Sequence, residues 1–272
     1  YLNNNKVFSN AIKIIMNSFY GVLGSSGCRF YDTKLASSIT MRGHWVLNQS
    51  KLWFEQQGLT VIYGDTDSVF VSLDDSKFSV EDAEQLGIDL NKWFNQKIQQ
   101  DFNLDNKMEL EFETHFSPFF MPTIRGSESG SKKRYAGMKQ HKNSDSELIF
   151  KGMETVRSDW TELAKIFQMK LFQLVFAKLD CDEYISSVIS KLKKGEFNHL
   201  LIYRKRIRQH IASYVKTTPP HIKAARLANS QANSEIYRKG SSIEYIIGIN
   251  GPKVNEPNLI PNYEHYIEKQ IF

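Results

Sequence analysis

Cysteine is scarce in this sequence of 272 residues, in which only Cys28 and Cys181 occur. The two cysteines form no C-x-x-C pair and the seven histidines show no zinc spacing, so neither a disulfide framework nor a structural zinc site is expected. No apolar run approaches the ~18 residues of a membrane span, and no signal-peptide pattern opens the chain. These absences predict a protein of the reducing cytoplasm with no membrane partner.

Charge of one sign is also limited, since 35 Lys and Arg against 30 Asp and Glu give a net charge of +5. A modest basic excess fits an anionic partner such as nucleic acid but does not identify one. A hydrophobic content of 41% is enough for a sizeable core, and the length suggests one large or two moderate domains. Because the sequence begins at Tyr1 and a helical pattern follows at once, we expect it to come from a longer chain.

Three helices and one hairpin are predicted in the first part of the chain. Residues 6–24 carry apolar side chains at 3.6-residue spacing, on a stripe formed by Phe8, Ile12, Ile15, Phe19 and Val22. Two further helices are expected over 33–57 and 79–100, where capping residues and a glycine mark the ends. Between them, residues 60–73 are β-rich and are broken by a polar turn, which predicts a hairpin.

The next stretch, residues 107–125, returns to β character, and acidic and apolar residues alternate in its first part. From Glu109 to Glu113 every second residue is acidic, so a strand here would have one wholly acidic face. After a Gly/Ser loop at 126–131, a further strand is expected over 133–139. This order of helices and strands predicts an α+β fold, with an antiparallel sheet flanked by helices.

The last part of the chain has a mainly helical pattern. Asp159 and Glu162 are predicted to form a capping box for a helix that reaches about residue 179. Helices are also expected over 182–194 and 221–233, with a basic run at 203–208 between them. The change in character predicts a domain boundary at 157–160.

Two carboxylates two residues apart, Asp65 and Asp67, occupy the predicted hairpin turn. Their oxygens can be directed at one point, and Mg²⁺ is usually bound by one or two carboxylates together with substrate phosphates. The alternative is a plain turn, because Asp and Gly favour turns in any hairpin. A calcium loop of the EF-hand type is excluded, since Val69 and Phe70 stand where that motif needs Asp or Asn and then Gly.

A second polar group lies on the first predicted helix. Lys13, Asn17 and Tyr20 recur at helical spacing on the face opposite the apolar stripe. A cation suits a phosphate, and a flat ring with a polar tip suits a base. The alternative is an ordinary solvated face, because polar residues opposite an apolar stripe are found on any surface helix.

In combination, these two patterns resemble the family B DNA polymerases. The helix matches Lys-x-x-x-Asn-Ser-x-Tyr-Gly in full from Lys13 to Gly21, and Tyr-Gly-Asp-Thr-Asp-Ser follows at 63–68. The tripeptide 133–135, Lys-Arg-Tyr, is similar to the family's Lys-x-Tyr motif. The stretches 151–159 and 203–206 are most similar to bacterial members of the family.

The resemblance implies an architecture and a metal site. It implies the end of the fingers at 1–28, part of an antiparallel-sheet palm at 29–157, and an incomplete, mainly helical thumb at 158–272. Asp65 and Asp67 would serve a Mg²⁺ site that Mn²⁺ could also fill, with Glu113 as an auxiliary ligand. For Glu113 the alternative is an exposed edge-strand charge that discourages aggregation.

The resemblance also implies the substrates and partners. Lys13 would hold the incoming deoxynucleoside triphosphate, and Asn17 and Tyr20 would lie beside the nascent base pair. Primer–template DNA would be held by Lys133 and Tyr135 on the primer side and, along its backbone, by Arg157, Arg204, Lys205, Arg206 and Arg208. The run at 203–208 could equally be a solvated charged face. A sliding clamp is a further expected partner of the longer protein, at the cytoplasmic nucleoid.

The family has another catalytic carboxylate in an Asp-x-x-Ser-Leu-Tyr-Pro motif, which this sequence does not contain. We therefore expect DNA-directed DNA polymerase activity, by two-metal-ion catalysis in replication or repair, from the longer protein and none from this chain alone. A glycosyltransferase also binds a metal–diphosphate through a D-x-D pair, but that alternative leaves Lys13, Asn17 and Tyr20 unexplained. A non-catalytic module of polymerase architecture is disfavoured because both aspartates are present.

Overall fold

A computed structural model of the chain describes residues 6–74, 77–123, 126, 130–131, 133–140, 146–257 and 259–271. The chain divides into two compact units, Tyr1–His115 and Phe116–Phe272. Helices and small antiparallel sheets occur in both units, which confirms the predicted α+β fold class. The boundary expected at 157–160 falls inside the second unit, so the division into fingers, palm and thumb stays a prediction.

The helices of the first unit begin and end close to the predicted residues. They are α1 (Lys6–Leu23), α2 (Thr33–Gln56) and α3 (Val80–Phe102). The carboxylate of Asp32 accepts a hydrogen bond from the backbone N–H of Lys34 (2.8 Å) and caps α2. Ser79 and Asp82 form a capping box at the start of α3. Local polar side chains therefore fix both helix starts.

The first unit also contains the predicted hairpin. Its strands β1 (Thr60–Asp65) and β2 (Ser68–Ser72) pair antiparallel. The core beneath them is formed by four buried side chains of α2 and α3: Trp53, Phe54, Leu90 and Phe94. Val61, Val69 and Val71 of the hairpin pack against this core. The core thus anchors the strands and leaves the turn between them at the surface.

The apolar stripe predicted on α1 lies largely at the surface. Phe8 is 50%, Ile15 is 58% and Phe19 is 61% exposed, although their spacing is that of a buried face. Helix α1 packs against α2, and the hydroxyls of Tyr20 and Thr40 share a hydrogen bond of 2.9 Å. The helix that the apolar spacing predicts is therefore confirmed, but the described residues do not bury the stripe.

The predicted strand with an acidic face does not form. Residues 103–115 follow α3 without strand pairing. Exposure still alternates as expected, because three acidic side chains point to solvent: Glu109, Glu111 and Glu113. The side chain of Asn91 on α3 takes the place of a partner strand, since it accepts from the N–H of Leu110 (2.8 Å) and donates to the Leu110 carbonyl. Of the β region predicted over 107–125, only Phe116–Phe120 is a strand, and the prediction was wrong for the acidic part because the side chain of Asn91, not a partner strand, holds that segment.

The second unit begins with a three-stranded antiparallel sheet. Its strands are β3 (Phe116–Phe120), β4 (Tyr135–Gln140) and β5 (Ser146–Lys151), with β4 in the middle. Helix α4 (Glu162–Phe176) packs the ring of Phe172 against three buried side chains: Ala136, Phe150 and Met153. The strand expected over 133–139 is therefore the central strand of this sheet.

The start of α4 corrects the predicted capping box. The N-cap is Thr161, whose hydroxyl accepts a hydrogen bond from the N–H of Ala164 (3.3 Å). The carboxylate of Asp159 is bound instead by Arg157 and cannot cap the helix. The sequence pattern identified the correct region, but a charged partner two residues upstream competes with the backbone for Asp159.

A second three-stranded antiparallel sheet, which the sequence pattern did not indicate, lies in the last part of the chain. Its strands are β6 (Tyr203–Arg206), β7 (Ser242–Gly248) and β8 (Gly251–Val254), with β7 in the middle. The accompanying helices are α5 (Asp182–Lys193), α6 (Pro220–Ala232) and α7 (Tyr263–Tyr266), which continues as a π-helical turn over Ile267–Ile271. Helices α5 and α6 confirm the two predicted helices.

Tyr266 ties this sheet to its surroundings. The ring is fully buried, and the hydroxyl donates to the carbonyl of Leu201 (3.0 Å) and accepts from the N–H of Ile247 (2.9 Å). The ring of Tyr203 stacks on Tyr266 (5.8 Å) and on Tyr245 (5.3 Å). Burial raises the pKa of both Tyr203 and Tyr245 to about 12. Strand β6 is therefore anchored on one side by an aromatic stack.

Within the described residues, no helix combines the length and the apolar character needed to cross a lipid bilayer.

Gly152 provides a test of the close packing between β5 and the start of β4. Its φ is +60°, and a Cβ at this position would overlap the carbonyl oxygen of Lys133. We expect Gly152→Ala to lower the free energy of unfolding by about 3 kcal/mol or more, because backbone strain and overlap add. Gly240 has a φ of +93° and open space around it, so Gly240→Ala should cost about 1 kcal/mol. Urea unfolding checks both values, and equal effects would contradict the overlap.

Candidate functional site

The turn of the β1–β2 hairpin presents two carboxylates. Asp65 lies opposite Ser68 in the antiparallel register, so only Thr66 and Asp67 form the loop. The N–H of Asp67 donates to the carbonyl of Asp65 (2.6 Å), which closes a three-residue turn centred on Thr66. Thr66 has a φ of +57°, a conformation that is costly for a β-branched residue. A positive φ is usual in the two-residue loop of a hairpin, so this backbone geometry is compatible both with a plain turn and with a metal site.

The two aspartates differ in their surroundings. Asp65 is half-buried, and its carboxylate accepts a hydrogen bond from the hydroxyl of Thr66 (3.2 Å). Asp67 is exposed and accepts from the hydroxyl of Ser68 (3.3 Å). Behind the tip, the rings of Tyr63 and Phe70 lie 5.5 Å apart and brace the two strands. The turn therefore places both carboxylates at the hairpin tip, Asp65 half-buried and Asp67 exposed.

The donor chemistry of this tip fits a hard divalent cation. Mg²⁺ prefers oxygen ligands and is commonly held by one or two carboxylates that are completed by substrate phosphates and water. Among the described residues, no group of three or more His, Cys, Asp or Glu side chains lies close enough to hold a metal ion. Glu113 is exposed in the segment that follows α3, and its role as a third ligand stays a prediction.

The polar residues predicted on α1 are all exposed. Lys13, Asn17 and Tyr20 follow one another by three or four residues, so they lie on one face of the helix. The hydroxyl of Thr40 donates to the carbonyl of Ala36 (3.1 Å), which leaves Tyr20 as the donor in its bond to Thr40. Tyr20 is therefore held by α2, whereas its aromatic face remains accessible. The three residues therefore lie on one exposed face of the helix, and their roles stay predictions.

In the second unit, the Lys-Arg-Tyr motif lies at the entry to β4. Lys133 has a φ of +62°, and the ring of Tyr135 packs against Phe119 (5.5 Å). The guanidinium of Arg134 forms an ion pair with Glu154, whose other oxygen accepts from the amide of Gln168 (2.9 Å). Arg134, the middle residue of the motif, thus pairs with Glu154 within the protein and anchors the chain between Lys133 and Tyr135.

Asp159 joins two of the predicted DNA-binding cations. The Nε and Nη2 groups of Arg157 each donate to one oxygen of this carboxylate, at 2.9 Å. The Nζ of Lys205 on β6 lies 3.4 Å from Oδ2 of the same carboxylate. Hydrogen bonds from Arg157, aided by both positive charges and opposed by partial burial, lower the pKa of Asp159 to about 2. The arrangement brings Arg157 and Lys205 together although they are far apart in sequence.

Strand alternation separates the cations of the basic run. Arg204 and Arg206 are exposed on one face of β6, whereas Lys205 is half-buried on the other face, next to Asp159. Arg204 pairs with Glu244, directly opposite on β7 (2.8 Å), and the Nε of Arg206 donates to the carbonyl of Gly240 (3.2 Å). Arg208 follows the strand and is exposed. The run is therefore not a single charged face.

Three carboxylates that hold these cations were not singled out from the sequence as partners: Glu154, Asp159 and Glu244. The close spacing of Arg157 and Asp159 in the sequence could have indicated their ion pair. Instead, Asp159 was interpreted as part of a helix cap. The pairs Arg134–Glu154 and Arg204–Glu244 join residues that are far apart in the chain. A single sequence carries no local signal for such contacts.

The chain thus combines helices and antiparallel sheets with a hairpin tip that carries Asp65 and Asp67 and with cations that are held by carboxylates. The family model for DNA polymerase family B matches residues 6–271. The chain therefore belongs to DNA polymerase family B.

Several relatives agree with this membership. The chain is 46% identical over 276 residues to DNA polymerase II of Escherichia coli, which covers 98% of the chain and 35% of that protein. It is 30% identical over 241 residues to a DNA polymerase of Archaeoglobus fulgidus, covering 87% of the chain and 27% of that protein. The solved structure of the family B DNA polymerase from Pyrobaculum calidifontis matches the fold with a TM-score of 0.59, at 23% identity, over the whole chain and 34% of the solved one. The chain spans about a third of these relatives.

The pKa of Asp159 leads to a prediction for acid stability. Because its folded-state pKa is about 2, below the usual 3.8, the carboxylate stabilises the fold above pH 3.8 and this contribution is lost as the pH falls towards about 2. The difference in unfolding free energy between the natural chain and Asp159→Asn should therefore be constant near neutral pH and shrink below pH 3.8. Urea unfolding at a series of pH values measures it. Arg157→Gln should remove most of the same pH dependence, and a difference that does not vary with pH would contradict the assignment.

Proposed function

We propose that this chain supplies the metal-binding hairpin and part of the DNA grip of a DNA-directed DNA polymerase. The observation that carries the proposal is the exposed Asp65–Asp67 turn, in a chain that matches the family over residues 6–271. The activity is transfer of a deoxynucleotide from its triphosphate to the 3′-hydroxyl of a template-bound primer, in DNA replication or repair. E. coli DNA polymerase II and the other relatives bear that activity in their names.

At the hairpin tip, Asp65 and Asp67 hold the catalytic cation, Mg²⁺ or, in its place, Mn²⁺. When bound there, the cation supplies charge stabilisation to the reacting oxygens of primer and triphosphate. The carboxylates take no covalent part, because an in-line phosphoryl transfer depends mainly on positioning and charge. Thr66 keeps the two aspartates in register through its left-handed backbone. Glu113 is proposed as an auxiliary carboxylate of the same site.

The α1 face binds the incoming nucleotide in this proposal. The ammonium group of Lys13 pairs with the triphosphate, and Asn17 and Tyr20 lie against the nascent base pair. The bond between Tyr20 and Thr40 holds the ring in one orientation, which a selective contact with a base pair requires. This role explains why three polar residues at helical spacing precede the aspartate hairpin.

The second unit holds the primer–template duplex. Lys133 and Tyr135 contact the primer side, and Arg157, Lys205 and the cations Arg204, Arg206 and Arg208 contact backbone phosphates. Most of these groups are arginines, whose planar fork matches phosphate geometry. In the longer protein a sliding clamp is a further partner, and the enzyme works at the cytoplasmic nucleoid.

Family membership argues against the nucleotide-sugar alternative, because a glycosyltransferase with a D-x-D pair has no reason to match over residues 6–271. It does not by itself separate an active polymerase from a non-catalytic relative. The intact aspartate pair favours the active form, because both carboxylates that a divalent cation would need at the hairpin tip are present.

A chimera tests the activity. We expect E. coli DNA polymerase II, with its aligned segment replaced by this chain, to extend a primer, and the chain alone to show no extension. Introducing Asp67→Asn into the chimera should reduce extension at least about a hundredfold, because the substitution keeps the shape and removes a metal-binding charge. Asp105→Asn, at an exposed aspartate outside the hairpin, is the matched control and should leave the rate unchanged. Near-normal extension by the Asp67→Asn chimera would remove Asp67 from the site.

Duplex binding by the 272-residue chain tests the DNA grip. Its affinity should fall steeply between about 50 and 200 mM salt. Arg204→Ala combined with Arg206→Ala should lower the slope of log K against log salt by about two, because two phosphate contacts are lost.

Lys170→Ala combined with Lys191→Ala removes the same charge from exposed lysines that have no proposed contact, and should change the slope little. Fluorescence anisotropy with a labelled duplex measures each slope. Equal effects of the two double variants would mean that only net charge matters.

A further inference from the structure

Carboxylates hold cations of the second unit at both ends of the segment from Gly152 to Asp159. Near its start, Glu154 pairs with Arg134, between the two motif residues Lys133 and Tyr135. At its end, Asp159 pairs with Arg157 and with Lys205 of β6. The hydrogen bonds to Asp159 and, to a smaller extent, the charge of Glu154 raise the pKa of Arg157. The segment therefore connects the groups proposed to contact DNA within this unit.

The pair at Asp159 leaves both cations able to bind a second anion. Arg157 uses its Nε and one Nη2 hydrogen, so three of its five N–H donors remain. Lys205 approaches the carboxylate at 3.4 Å and directs a single donor at it, out of three. The side chains of Arg157 and Lys205 are 44% and 38% exposed, compared with 32% for Asp159. The cations thus reach solvent further than the carboxylate that holds them.

Asp159 also restricts the freedom of these two side chains, of Arg157 more than of Lys205. Long basic side chains lose rotamer entropy when they bind a phosphate, and this loss weakens binding. A bidentate carboxylate fixes the guanidinium plane of Arg157 before any ligand arrives. Lys205 lies opposite Ile243 on β7, so Tyr245 is on the same face of the sheet, and the ring of His221 lies 6.3 Å from that of Tyr245. These groups limit the directions in which the ammonium group can move.

We propose that Asp159 is a positioning residue for duplex binding, which holds Arg157 and Lys205 at a fixed separation so that both engage backbone phosphates. The proposal rests on the DNA grip of the proposed function. It predicts that removing a negative charge weakens binding to a polyanion. General electrostatics predicts the opposite sign, because the cluster would gain a net positive charge. The sign of the effect therefore separates positioning from simple charge.

The experiment measures duplex binding of the full 272-residue chain between about 50 and 200 mM salt, with Asp159→Asn and a matched control. The control is Glu235→Gln, at an exposed carboxylate of the same unit with no cation within ion-pair distance among the described residues. We expect Asp159→Asn to bind about threefold to tenfold more weakly, with a salt slope lower by about one. Glu235→Gln should bind as tightly as the natural chain or slightly more tightly.

A second variant covers the case in which Asp159→Asn does not fold. Arg157→Lys keeps the charge but cannot form the bidentate fork, so it should show the same loss of affinity and slope. Circular dichroism establishes folding of each variant. In the double variant Arg157→Lys with Asp159→Asn, the two losses should be less than additive.

The outcomes separate the two proposals. Absence of salt-dependent binding by the natural chain would overturn the DNA grip itself. If the natural chain binds, equal or tighter binding by a folded Asp159→Asn chain would overturn the positioning role. Weaker binding with an unchanged salt slope would also overturn it, because it would indicate general loosening of the fold. If Asp159→Asn is unfolded, an Arg157→Lys chain that binds the duplex as tightly as the natural chain would overturn the positioning role.

Discussion

The arrangement of cations in the second unit depends on their pairing with carboxylates that are distant in the sequence. Glu154 binds Arg134 at the entry to the central strand β4, and Asp159 binds Lys205 on β6. A short segment thus connects two separate sheets through charge-assisted hydrogen bonds. Partly exposed pairs of this kind contribute little to stability when isolated, but each one fixes the orientation of a guanidinium or ammonium group. Their main consequence is an ordered set of cations.

The first unit depends on a different constraint, the two-residue turn of the hairpin. The hydrophobic core beneath β1 and β2 fixes the register of the two strands. This register places Asp65 at the end of β1 and Asp67 in the loop that follows. The strained backbone of Thr66 is tolerated because the strands on both sides are paired and packed. A packed hairpin can therefore offer two carboxylates to a cation, Asp67 exposed and Asp65 half-buried.

Local sequence patterns predicted the helices and the hairpin, because caps, apolar periodicity and turn residues are all encoded within a few positions. The failures share a cause. Residues 107–115 alternate like a strand but are held by the side chain of Asn91, and Asp159 is bound by Arg157 and Lys205 instead of capping α4. Lys205 lies on the opposite face of β6 from Arg204 and Arg206. The sequence pattern did not predict this strand. In each case a contact between distant residues decided the outcome.

The state of Arg157 before DNA arrives tests the account most directly. Nuclear magnetic resonance of arginine Nε–H groups in the 272-residue chain reports whether each guanidinium is held or exchanges freely with water. Since its Nε donates to Asp159 at 2.9 Å, Arg157 should give a protected signal in the free chain, which persists and shifts when a DNA duplex is added. The exposed Arg208 provides the comparison for free exchange. A signal from Arg157 that exchanges as fast as that of Arg208, and becomes protected only with DNA, would contradict the account.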